Sequence, residues 1–152
     1  MTPVIREAKE ADIGFVLFMW TNDSYELECT ALRVTKHGRP PAIALYKTLF
    51  HQVAMKLLKR SVIIVAVNPD DNEQVFGCLV YEPGDVPVIH YSGTKREFRG
   101  LEVDKKLFEW ARVSYDKPAI HTGGMPAGGD ERRGFRSQMP KAWSFVRYGL
   151  LP

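Results

Sequence analysis

Three apolar segments in a row, joined by turns too short to hold a helix, set the strongest limit on what this chain can fold into. "SVIIVAVN" is apolar and β-branched almost throughout, the composition of a buried strand. "PDDNEQ" carries turn chemistry, and "VFGCLVYEP" is a second strand, so the two form a hairpin. "GDVP" turns the chain again into a third strand, "VIHYSGTK". Strands joined this closely pair antiparallel. The next segment, "REFRGLEVDKKLFEWA", has the spacing of a short loop and an amphipathic helix, with Val103, Leu107, Trp110, Ala111 and Ser114 on its apolar face. After "DKP" a short strand, "AIHT", follows. A helical crossover returns its strand parallel to the one before, so the sheet is mixed.

The rest of the chain supplies helices for that sheet. "PVIREAK" reads as a first strand. "EADIGFVLFMWTND" reads as a helix with Ile13, Val16, Leu17 and Trp20 inward, and "SYELECTALRVTKHGRPP" as irregular. A longer helix is expected over Pro41–Arg60, since proline is tolerated at a helix entry, with Leu45, Leu49, Val53 and Leu57 as its buried stripe. "GGMPAGGDERRGFRSQ" is expected to be a loop and "PKAWSFVRYGL" a final helix. The expected class is therefore α/β, a mixed sheet in the order β-α-α-β-β-β-α-β-α with helices on both faces, formed by residues 1–152 as one domain.

Composition narrows the function classes. No apolar run approaches the ~18 residues of a membrane helix, and "MTPVIREAKEAD" lacks the pattern of a secretory leader, so a cytoplasmic location is expected. Cys29 and Cys78 have no metal-ligand spacing, nor do the four histidines. The net charge of +3 is uneven: residues 1–92 hold 9 Lys/Arg and 11 Asp/Glu, and residues 93–152 hold 12 and 7. Lys95, Arg96, Arg99, Lys105, Arg132, Arg133 and Arg136 make the second part basic. Nucleic-acid association is a weaker reading of that charge, since no nucleic-acid motif is present.

The order of elements, together with "VIREAKEADIGFV", "SVIIVAVNPDDNEQVFGCLVYEP", "REFRGLEVDKKLFEWA" and "KAWSFVRYGL", resembles the GNAT superfamily of N-acetyltransferases. The resemblance implies an acetyl-CoA site at a loop of pattern R/Q-x-x-G-x-G/A, here Arg99, Gly100, Leu101, Glu102, Val103 and Asp104. A helix start offers unpaired N–H groups and partial positive charge to a diphosphate, and glycines let the anion approach. Arg99 fits this pattern. Glu102 and Asp104 do not, because each brings bulk and negative charge. Read structurally, they are acidic residues in the first turn of a helix, which stabilise it. Exchanging Glu102 for Gly and Asp104 for Ala is on that reading expected to lower stability.

The resemblance also implies a base near the thioester and a tyrosine on the last helix that protonates the leaving thiolate. His90 and Tyr91 are the candidate bases, and His121 beside the Gly-rich segment is another. The tyrosine position falls on Phe145, which has no proton to give, with Tyr148 one turn further as a substitute. Each of these side chains has an alternative reading as packing. The family continues with two further strands, so the "AIHT" strand is expected to have an open edge that invites a protein partner or a second copy.

The leading expectation is a non-catalytic interaction or assembly module with a degenerate coenzyme site and no cofactor. Small GNAT-like proteins occur in tailed-phage genomes, so the resemblance implies a virion or host-interaction role. The alternative is an acyl-CoA-dependent N-acetyltransferase that uses acetyl-CoA.

Overall fold

The computed structural model describes residues 1–35 (side chains to residue 29), 42–123 and 140–146. Strand β1 (Val4–Glu7) leads through a 3-10 turn (Glu10–Asp12) into α1 (Ile13–Thr35), and α2 (Ile43–Lys59) follows. Next come β2 (Val62–Asn68), β3 (Asp71–Glu82) and β4 (Val88–Thr94), a second 3-10 turn (Arg96–Leu101), α3 (Val103–Ala111), β5 (Ala119–His121) and β6 (Trp143–Phe145). The six strands lie side by side in sequence order. β1 to β4 pair antiparallel, while β4–β5 and β5–β6 pair parallel. The expected mixed α/β sheet, its hairpin and the parallel return of "AIHT" are all present.

Each sheet face carries its own core. Val65, Val67, Val75, Cys78, Val80 and Tyr91 pack under Val16 and Trp20 of α1 and under Ala54, Leu57 and Leu58 of α2. Ile64, Ala66, Phe76, Leu79, Tyr81 and Ile89 pack under Val103, Leu107 and Phe108 of α3, with Trp143 of β6. The helices thus cover both faces. Alternation along β2 sends neighbouring residues to opposite cores, as a strand buried on both sides requires. Arg6 of β1 bonds Asp12 at 2.7 Å, and the same carboxylate accepts the Lys9 N–H at 2.7 Å. Together these bonds fix the entry to α1.

Several elements differ from the sequence reading. The stretch after Asp23 is helix as far as Thr35. It contains no Gly or Pro before Gly38, and Leu27, Glu26, Glu28 and Ala31 favour helix. In α2, Leu45 and Leu49 are 55% and 57% exposed, and the inward face is Phe50, Val53, Ala54, Leu57 and Leu58. In α3, Phe108 is inward and Trp110 is 45% exposed. "WSF" forms β6 in place of a helix, so Phe145 lies on a strand and "AIHT" is flanked on both sides. Its open edge is thereby corrected: among the described residues the outer strands are β1 and β6. The Gly-rich segment from 124 to 139, with Arg132, Arg133 and Arg136, lies outside the described residues, and so does Tyr148.

Candidate functional site

Strands β4 and β5 part soon after they meet. Val88 pairs with Ile120 and Ile89 with His121. The Thr122 N–H bonds the Ile89 carbonyl at 3.0 Å, and β4 continues to Thr94 along β3 without a partner in β5. Tyr91 pairs with Val80 and Ile89 with Tyr81, so His90 is an extra residue on β4, a β-bulge. The bulge stands where the strands separate. Parallel strands that diverge leave a crevice at their carboxyl ends, the usual ligand position in open α/β sheets.

His90 is 2% exposed, and both of its ring nitrogens are engaged. Nε2 lies 2.6 Å from Glu82 Oε2 and Nδ1 lies 2.7 Å from Thr122 Oγ1. Arg60 at the end of α2 donates to the other oxygen of Glu82 at 2.9 Å. Burial pushes the imidazole below its ordinary range, against the pull of the Glu82 carboxylate. A direct hydrogen bond from a substrate to His90 would have to displace one of these partners.

Tyr91 donates its hydroxyl proton to Asp23 of α1. Its ring stacks on Trp20 at 5.7 Å and folds back over Gly93, where a side chain would overlap the phenol. Burial, then the nearby Cys78 and the Asp23 carboxylate, hold the phenol well above its ordinary range, while Arg99 pulls it down. Tyr91 is therefore a protonated phenol at neutral pH, and the charge of the loop arginine bears on it. His121 is directed to the β6 side, with its ring 5.4 Å from that of Phe145 and its Nδ1 3.0 Å from the Gly123 carbonyl.

The loop after β4 tightens into a 3-10 turn, and α3 begins at Val103. Glu102 is the N-cap, with φ 52° and ψ 37°. That left-handed conformation costs an L-residue roughly 1–2 kcal/mol and costs glycine almost nothing. The backbone thus has the shape a glycine would adopt, with a glutamate in it. The Glu102 side chain is 69% exposed and lies 4.0 Å from Lys105, so its charge is partly answered. Around Gly100 nothing stands within 4 Å of where a side chain would begin. The first-turn N–H groups of α3 lack intrahelical acceptors, which fits the diphosphate of coenzyme A at the backbone. Asp104 and Glu102 oppose it by charge.

Placing Glu102 outside the helix corrects the stability expectation, because only Asp104 sits in the first turn. Glu102→Gly is expected to raise the unfolding free energy by about 1 kcal/mol by relieving the left-handed strain, since the exposed Lys105 pair contributes little. Urea denaturation checks this. A lower midpoint would show that the glutamate side chain stabilises the loop.

The structure therefore places His90 and Tyr91 next to each other on β4 at the parting, sets the charge of Arg99 against Tyr91, and keeps His121 on the β6 side. It adds Asp23, Glu82 and Thr122, which carry no spacing signal because they come from three separate elements. Cys29 and Cys78 are free. Among the described residues no cluster of His, Cys, Asp and Glu could hold a metal ion, and no helix is long and apolar enough to cross a membrane.

No family model and no curated protein matches the sequence. Solved structures do match. A Pyrococcus furiosus protein proposed to be an acetyl transferase superposes with a TM-score of 0.59 at 17% identity, over 81% of this chain and 83% of that one. A protein from Corynebacterium glutamicum described as histone acetyltransferase HPA2 and related acetyltransferase superposes with a TM-score of 0.52 at 18% identity, over 75% and 73%. The fold is that of the GNAT acetyltransferases. At these identities the likeness is one of fold. Arg99 to Glu102 lie in the turn between β4 and α3, and Val103 and Asp104 open α3.

Proposed function

We propose that this protein is an acyl-CoA-dependent N-acetyltransferase, using acetyl-CoA to modify an amine. The observation that carries the reading is the parting of β4 and β5 at the His90 bulge. It lies beside a helix start whose N-cap residue keeps a glycine-like backbone. A crevice of that kind admits an extended thioester arm, and the helix start offers N–H groups to a diphosphate. Arg99, Gly100, Leu101, Glu102, Val103 and Asp104 would form the coenzyme loop. Glu102 and Asp104 weaken affinity by repulsion, which solvent moderates because Glu102 points outward.

A second reading is a non-catalytic interaction or assembly protein, of virion or host-interaction kind. The observation in its favour is the pair of carboxylates where an anion would sit. In that case a partner strand would pair with β6, which among the described residues pairs only with β5. Release of free thiol from acetyl-CoA, in the presence of polyamines or lysine-containing peptides, separates the two. Protein- and amine-dependent release supports the enzyme. If no acceptor yields thiol above the uncatalysed rate, the module stands.

A further inference from the structure

We propose that a pocket at the end of α3, away from the coenzyme loop, binds a small zwitterion of the α-amino-acid type. The ligand's carboxylate faces Arg112 and Lys117, and its ammonium group faces Asp85. The site goes beyond the acyl-transfer reading and does not depend on it.

The pocket has a volume of about 260 Å³. One wall is the turn between β3 and β4, with Pro83, Gly84, Asp85 and Pro87. The other is the connection from α3 to β5, with Arg112, Ser114, Lys117 and Pro118. Tyr81 and Val113, both buried, also line it. The Ile120 N–H bonds the Pro87 carbonyl at 2.9 Å, which ties the first wall to β5. The pocket thus lies at the amino ends of β4 and β5, opposite to the end where these strands part.

Its charges select the ligand class. Asp85 stands on one wall, and Arg112 and Lys117 stand on the other. Among the described residues none of these three side chains has a hydrogen-bond or ion-pair partner. Opposite charges therefore line one small space without closing on each other. A purely anionic ligand meets repulsion from Asp85, and a purely cationic one from Arg112 and Lys117. A molecule that carries both charges a few bonds apart answers all three, and a guanidinium offers a carboxylate a matching fork of N–H donors. The volume leaves room for a small side chain beside Pro83, Pro87 and Pro118, the mix of apolar wall and few polar groups that small-molecule sites have.

The backbone holds Arg112 at this place. The residue ends α3 with φ 58° and ψ 36°, a conformation in which glycine is unstrained and other L-residues are not. Its N–H bonds the Glu109 carbonyl at 3.1 Å, and the Val113 N–H bonds the Phe108 carbonyl at 3.0 Å, so the helix end is closed. The strained position thus carries a charge that the fold itself leaves unanswered, and strain of this kind collects at ligand sites.

The test is calorimetric titration of the full chain with the common L-amino acids, one at a time, and with acetate and methylammonium as half-ligands. An amino acid with a small side chain is expected to bind at one site with Kd below about 1 mM, at least about tenfold tighter than either half-ligand. Arg112→Gly suits the left-handed backbone and so keeps the fold. It is expected to weaken that binding by at least about tenfold. Asp85→Asn is expected to weaken the amino acid while acetate binds no worse. No binding by any amino acid at about 10 mM would overturn the proposal. So would binding that both variants leave intact, or acetate binding as tightly as the amino acid, which would make the pocket an anion site. None of these outcomes bears on coenzyme A, whose site is titrated separately.

Discussion

Replacing His90 with alanine is expected to lower the unfolding free energy by about 3 kcal/mol. The ring fills a buried position at the bulge, so its loss leaves a cavity. It also leaves the Thr122 hydroxyl and one oxygen of Glu82 without their partner, each a further cost of roughly 1–3 kcal/mol before water re-enters. Guanidinium denaturation provides the measurement, and a loss below about 1 kcal/mol would mean the network is solvated and holds little. The same residue makes stability depend on acid. The folded imidazole resists protonation below its ordinary value of 6.5, mainly through burial. The unfolded chain therefore binds the proton first as pH falls, and stability declines from about pH 6.5 downward until the folded group titrates too. Above that range the contribution is fully present. H90Q, which has no titrating ring, is expected to lose this slope between about pH 6.5 and 5.

The second large effect is at Gly77 on β3. An alanine methyl there would stand 2.5 Å from the Gly93 carbonyl oxygen and 2.9 Å from Val103 Cγ1. The first of these is backbone of β4 and cannot rotate away. Either β4 shifts or α3 lifts from the sheet, and both loosen the core formed by Phe76, Leu107 and Val103. Gly77→Ala is expected to cost about 2–3 kcal/mol, at the upper end for overpacking. Gly100→Ala serves as the contrast, since its side chain would meet open space. A thermal midpoint for Gly77→Ala equal to that of Gly100→Ala would show that β3 and β4 are less tightly apposed than described.

Much of the fold was legible because its signals are local. The β-branched run of β2, the turn residues after Asn68 and the 3.6-residue spacing in α3 act over a few neighbours. They placed β2, β3, β4, α3 and β5 in the observed order. The misread elements depend on distant packing. Leu45 and Leu49 have helical spacing, yet the sheet meets the face that carries Phe50, Ala54 and Leu57. "WSF" is too short to show a period, and it becomes a strand because β5 offers a free side. The candidate site was legible only where its residues are close in sequence. His90 and Tyr91 are named by their place on the strand before the loop. Asp23, Glu82 and Thr122 become partners only when α1, β3 and β5 converge. The left-handed backbone at Glu102 was hidden by its residue type, since the position looked like a lost glycine.

Whether the crevice between β4 and β5 takes a coenzyme is most directly tested by calorimetric titration with acetyl-CoA, run on the wild type and on Glu102→Gly. Binding to one site in the range of about 10–100 μM is expected for the wild type. It should tighten by about tenfold, or ~1.4 kcal/mol, once the glutamate charge is removed and the backbone is left in place. No heat of binding from either protein at millimolar acetyl-CoA would contradict the coenzyme site and leave the fold to a non-catalytic role.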